Sequence, residues 1–179
     1  MPPPLLIDPT ELDFEHPLAD IEAIRQVLPQ RYEMEQLTAI LSLNVDKRLI
    51  VGYKDVRHDE FWVRGHMPDF PLMPGVLICE AAAQVCSYYI VTQRLMGEAA
   101  EFVAFGGLDH VKFRDVVRPG DRLIVAALAS MIRPGRRAVF SAQGIVGANV
   151  VFHGDIVGWP FAGSRGSSRK PASQEANTS

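Results

Sequence analysis

The segment at positions 75–95, GVLICEAAAQVCSYYIVTQRL, constrains the fold more than any other part of the chain. Its length and its content of Ala, Leu and Gln favour a helix over a strand, although β-branched Val76, Val85, Ile90 and Val91 weaken the propensity. Apolar residues run nearly all the way round it, so other structure must wrap it. Its longest apolar stretch, Val76 to Val91, falls short of the ~20 residues of a membrane span and contains Glu80 and Gln84. We therefore expect a core helix and no membrane span. Cys79 and Cys86 are separated along it by about 10 Å of helical rise, too far for a disulfide. They read as reduced core residues of a cytoplasmic protein, and MPPPLLIDPTELDFEHP shows no signal peptide.

The material to wrap this helix lies on both sides of it. LTAILSLNVD and RLIVGYKDV flank Asp46-Lys47 as a hairpin would. After the helix come five apolar runs of strand length: EFVAFGGL, HVKFRDVV, DRLIVAALASMI, RRAVFSAQGIVG and NVVFHGDIVGW. Turn residues separate the later ones, at Arg118-Pro119-Gly120-Asp121, Arg133-Pro134-Gly135 and Gly147-Ala148-Asn149. No alternation of strands and helices of the dinucleotide-binding kind is present, and Gly106-Gly107 is not a phosphate loop. An antiparallel sheet curled around one helix is the simplest α+β solution.

With 179 residues and 47% hydrophobic content, the chain supports one domain. We place that domain at 21–162, opening with a short helix between Asp20 and Pro29. Residues 1–20 form a proline-rich, acidic arm in which Leu5, Leu6, Ile7, Leu12 and Phe14 are able to grip a surface. Residues 163–179 are small and polar, and disorder is expected there. A net charge of −3 supplies no global basic field, so no nucleic-acid partner is expected.

Chemistry gathers around RGHMPDFPLMPGVLICEAAAQ. His66 lies on the loop entering the helix, Glu80 about a turn and a half inside, and Gln84 four residues on along the same face. A carboxylate among apolar side chains is costly unless it is paired or protonated, and desolvation favours the protonated form, so Glu80 is intelligible as a general acid. His66 is the corresponding base. The helix N-terminus at Gly75 offers backbone N–H groups and a positive dipole end to an oxygen gaining negative charge. The bland alternatives are a structural loop histidine and a carboxylate neutralised by a cation such as Arg114.

The run GHMPDFPLMPGVLICEAAAQ resembles the signature of the β-hydroxyacyl-acyl-carrier-protein dehydratases, and AFGGLDHVKFRDVVRPGDRL resembles their later strands. The likeness extends from about Ile24 to Gly158. It implies the hot-dog fold, a sheet wrapped around one central helix and paired into a homodimer, with a trimer of dimers as a further assembly. It also implies that His66 takes the C2 proton of a β-hydroxyacyl thioester while Glu80 of the other subunit assists departure of the hydroxyl. By the same resemblance Gly75 holds the thioester carbonyl, Gln84 stands beside the acid, and Tyr32 gates the tunnel mouth. One stretch departs from the pattern: Leu28-Pro29-Gln30-Arg31-Tyr32-Glu33-Met34 stands where the family reads leucine-proline-histidine-arginine-tyrosine-proline-phenylalanine.

The resemblance implies no redox cofactor and no metal, the substrate being carried on the phosphopantetheine of acyl carrier protein or on CoA. The remaining histidines, His16, His58, His110 and His153, show no metal-ligand spacing. An acidic acyl carrier protein could land among Lys54, Arg57, Arg64, Lys112, Arg114, Arg118, Arg133, Arg136 and Arg137. The altered Gln30–Met34 stretch keeps three alternatives open: a hot-dog thioesterase, a CoA-specific hydratase on a non-fatty substrate, and a non-catalytic acyl-binding subunit.

Overall fold

A computed structural model of the chain describes residues 3–97 and 100–161. Helix α1 is Ile21–Val27, capped as expected by Asp20, whose carboxylate accepts the Ala23 N–H at 2.9 Å. Strands β1 (Ala39–Asn44) and β2 (Leu49–Asp55) form the anticipated hairpin. The long helix α2 spans Gly75–Thr92. It is followed by β3 (Phe102–Phe113), β4 (Arg122–Arg133), β5 (Arg137–Val146) and β6 (Asn149–Phe161). All six strands pair antiparallel in the order β1-β2-β4-β5-β6-β3, giving the hot-dog arrangement. The 163–179 tail lies outside the described residues.

Strand β3 corrects the sequence reading. EFVAFGGL and HVKFRDVV are not two strands, because the chain runs through Asp109 and His110 without turning. Register shifts at Phe105/Gly107 and Asp109/Lys112 absorb the extra residues, and His110 takes a φ of 54°. Bulges of this kind bend a strand without ending it.

Side-chain alternation explains why the strands read as almost continuous apolar runs. Ile40, Ile50, Val125, Ala127, Phe140 and Phe152 face α2. Their neighbours Leu41, Val51, Tyr53, Ile124, Ala126 and Ile145 face the other way, into a second apolar layer. The N-terminal arm covers that layer with Leu6, Ile7, Leu12 and Phe14. Phe14 meets Tyr53 edge-on at 5.3 Å, and the Arg122 guanidinium lies 4.6 Å from both ring centroids. Gln143 fastens the arm by accepting from Leu6 N–H at 3.0 Å and donating to the Pro4 carbonyl at 2.8 Å.

By length and apolar content α2 could cross a membrane, yet 67% of it is buried inside the protein. It is a core helix. Gly52 and Gly158 let the sheet approach it: a Cβ at Gly52 would lie 3.1 Å from Val85, and one at Gly158 3.1 Å from Ile90.

Gln143→Ala is expected to leave the Leu6 N–H and the Pro4 carbonyl without their partner, lowering stability by about 1–3 kcal/mol. Urea denaturation measures that loss. Limited proteolysis should show faster cleavage confined to residues 1–20.

Candidate active site

The loop carrying His66 is suspended between two backbone anchors. At its start, Val56 N–H donates to Asp121 O at 2.9 Å and Gly120 N–H to Val56 O at 2.7 Å. At its end, Met73 N–H donates to Val117 O at 2.7 Å. Between them, Glu60 forms a 2.8 Å ion pair with Lys54 of β2, their side chains only 7% and 6% exposed, and Trp62 is buried in the core. The Trp62 carbonyl accepts from Gly65 and His66 N–H groups at 3.0 and 2.8 Å.

The imidazole orientation follows from this loop. Leu72 N–H donates to the His66 carbonyl at 3.0 Å, and His66 Nδ1 lies 2.9 Å from the Leu72 carbonyl oxygen. A carbonyl only accepts, so Nδ1 carries the proton and Nε2 keeps its lone pair. Three residues past Leu72, α2 begins at Gly75 with no side-chain cap and no acid in its first turn. Neither its N-cap nor its first turn therefore supplies a side chain to its leading N–H groups and dipole end. The Phe113 ring packs on Gly75 so closely that a Cβ there would fall 2.7 Å from it.

Glu80 occupies different surroundings. It opens onto a cavity of about 600 Å³ lined by Gln30, Met34, Ala83, Ser87, Ile90 and Phe105, among others, and His66 is not part of that lining. Glu80 Oε1 accepts from Gln84 Nε2 at 2.8 Å and from Gln30 Nε2 at 3.5 Å. Among the described residues no cation forms an ion pair with Glu80, Arg114 included. Cys86 lines the same cavity, and burial pushes its thiol far above the ordinary range; Cys79 is raised for the same reason. Both are free thiols and inert ones.

Gln84 is 2% exposed and its amide is fully engaged by protein. Besides Glu80, it donates to Met34 O at 2.7 Å and accepts from Gln36 N–H at 3.0 Å. It therefore fixes Glu80 and ties α2 to the 34–36 segment rather than reaching into the cavity. Tyr32 is 86% exposed, with a φ of 58° that turns it toward an outer groove shared with Arg25, Glu33 and Lys54. In its place Gln30 and Met34 meet the cavity. Sequence reasoning missed Gln30 as a contact of the acid, although its departure from the dehydratase pattern marked the position. Arg31 holds that stretch by donating to the carbonyls of Arg25, Leu28 and Gln30. Lys54, buried against Glu60, is removed from the set of landing cations. Among the described residues no three His, Cys, Asp or Glu side chains gather as a metal site needs.

Comparison with known proteins completes the description. The family described as FabA-like domain matches residues 28–155. The 3-hydroxyacyl-acyl-carrier-protein dehydratase FabZ of Chlamydia muridarum is 37% identical over 143 residues, 79% of this chain and 92% of that protein. The FabZ of Clostridioides difficile is 35% identical over 140 residues, 78% of this chain and 96% of that protein. Among solved structures, the dehydratase heterocomplex ApeI:P from Xenorhabdus doucetiae is similar in fold, with a TM-score of 0.62 at 14% identity over 76% of this chain and 90% of that one. The E. coli PaaI protein has a TM-score of 0.52 at 15% identity, covering 67% and 80% of the two chains.

Gln84→Ala is expected to strand the Gln36 N–H and the Met34 carbonyl in the interior and to destabilise the fold by about 1–3 kcal/mol, measured by denaturant titration. Alkylation with iodoacetamide near neutral pH should leave Cys79 and Cys86 unmodified in the folded protein and modify both after unfolding, because the raised thiols hold little thiolate.

Proposed function

Because the chain belongs to the FabA-like domain family, we propose that it dehydrates 3-hydroxyacyl thioesters carried on acyl carrier protein to trans-2-enoyl thioesters in fatty-acid biosynthesis. The observation that carries this reading is Glu80, a carboxyl that forms no ion pair among the described residues and lines a mainly apolar cavity of about 600 Å³. A cavity of this volume has room for an acyl chain, and a carboxyl on its wall is able to protonate a leaving hydroxyl.

The reaction divides among few groups. His66 Nε2 takes the C2 proton, and its electron pair forms the C2=C3 bond as the C3–O bond breaks. Glu80 gives its proton to the departing hydroxyl, which leaves as water. Charge that builds on the thioester oxygen is met by the Gly75 N–H and the positive end of α2. The overall change is redox-neutral. Gln84 is assigned a positioning role behind Glu80.

Within one chain His66 and the helix tip stand outside the Glu80 cavity, which supports a site shared between two subunits. Strand β3 supplies the means to pair them. Among the described residues it is an edge strand with one side unpaired, and Phe102, Phe105, Leu108 and Phe113 on it are all more than a third exposed. Lys112 and Arg114 on or beside β3, and Arg118, whose guanidinium lies 4.3 Å from the Phe70 ring centroid, are the exposed cations we assign to the carrier protein.

His66→Ala and Glu80→Gln should each lower kcat by about 10²–10⁴-fold with the fold intact, followed by enoyl absorbance with a 3-hydroxyacyl thioester. Release of free thiol instead would favour a thioesterase. Mixing unfolded His66→Ala and Glu80→Gln chains and refolding them together should restore about a quarter of wild-type activity, since random pairing gives half heterodimers with one complete site each. No recovery would place both groups in one subunit.

A further inference from the structure

Two amides meet the same oxygen of Glu80, and they are not equivalent. Gln84 is locked in one orientation, because turning its amide over would set oxygen against the Met34 carbonyl and N–H against the Gln36 N–H. Gln30 is not locked. Its Nε2 reaches Glu80 Oε1 at 3.5 Å, and its Oε1 is buried with no hydrogen-bond partner among the described residues. A buried carbonyl oxygen without a donor is uncommon in a folded protein and calls for a proton from somewhere.

Glu80, whose Oε1 lies 3.5 Å from Gln30 Nε2, is the neighbouring group able to supply one when it carries its proton. The oxygen and nitrogen of a primary amide are spaced like the two oxygens of a carboxyl group, so an amide and a carboxylic acid close a ring of two hydrogen bonds. One is N–H to the carboxyl's carbonyl oxygen; the other is O–H to the amide oxygen. The first half of that ring is the Gln30 Nε2 to Glu80 Oε1 contact. The second half requires Glu80 to hold its proton on Oε2, since a carboxylate only accepts. Gln84 reinforces this distribution by donating to Oε1 and so leaving Oε2 for the proton.

We propose that Gln30 is a positioning residue for the general acid, holding the Glu80 proton on Oε2 between turnovers through its own Oε1. This rests on the assignment of Glu80 as the acid. An arriving substrate hydroxyl takes the proton over from Gln30; after transfer, the Gln30 N–H stays on the new carboxylate. The substitution of the family's usual histidine is then intelligible, because a neutral imidazole also presents one acceptor nitrogen to a carboxyl O–H. Arg31 holds the backbone of Gln30 in place through the Gln30 carbonyl.

The test uses the full-length enzyme with Gln30→Leu, Gln30→His and Gln30→Lys, each checked for wild-type thermal unfolding. Gln30→Leu should lower kcat about 10- to 100-fold and leave KM within about twofold. Gln30→His should recover most of the loss, and Gln30→Lys, which only donates, should not. In infrared difference spectra of the substrate-free protein, the carboxylic C=O band that disappears in Glu80→Gln should be present in the wild type and shifted to higher frequency in Gln30→Leu, where the hydrogen bonds to Gln30 are lost. Wild-type kcat in Gln30→Leu, or no such band in the wild type, overturns the proposal. If Glu80→Gln is inactive in the same assays the assignment of the acid survives that failure; if Glu80→Gln is fully active, the assignment itself has failed.

Discussion

A helix that is apolar on nearly every side can exist in water only inside something else, and the rest of this molecule follows from that requirement. Twelve of the eighteen residues of α2 are buried. The sheet that surrounds them must curve, and it closes in at Gly52 and Gly158, where a side chain would meet Val85 or Ile90. Where the wrapping stops short, along the face bearing Glu80, Ala83, Ser87 and Ile90, a cavity remains instead of packed side chains. The burial that stabilises the helix and the space we assign to the substrate are thus two parts of one arrangement.

The sequence made the helix, the hairpin and the antiparallel class legible because their signals are local: an unbroken apolar segment, strand-length runs, and turn residues between them. The strands lacked a clean polar alternation for a reason visible only in three dimensions, namely that the arm covers the sheet's outer face with Leu6, Ile7, Leu12 and Phe14. The division of β3 into two was misread because Asp109 and His110 look like a break, whereas a pair of bulges accommodates them within one strand. A positive φ at a tyrosine has no signature in composition, so the outward turn of Tyr32 could not be read in advance.

The candidate site was read in the sequence by residue type, and its contacts were not. His66 and Glu80 follow from motif and chemistry, but the tautomer of His66 depends on the Leu72 carbonyl six residues away. The surroundings of Glu80 depend on partners at much longer range. Gln30 is fifty positions from it in the chain, and Gln84 reaches back equally far to Met34. Such contacts are set by how α2 lies against the 29–36 stretch, which no local pattern encodes.

The arm's fastening carries a consequence for the order of folding. Leu6 finds its hydrogen-bond partner 137 positions further on, at Gln143 in β5. A chain emerging from the ribosome makes the strap first and its buckle almost last, so the arm remains undocked until nearly the whole sheet exists. Closing so long a loop is also slow relative to local structure. The outer apolar layer is therefore bare until β5 has been made, and the arm docks only after that.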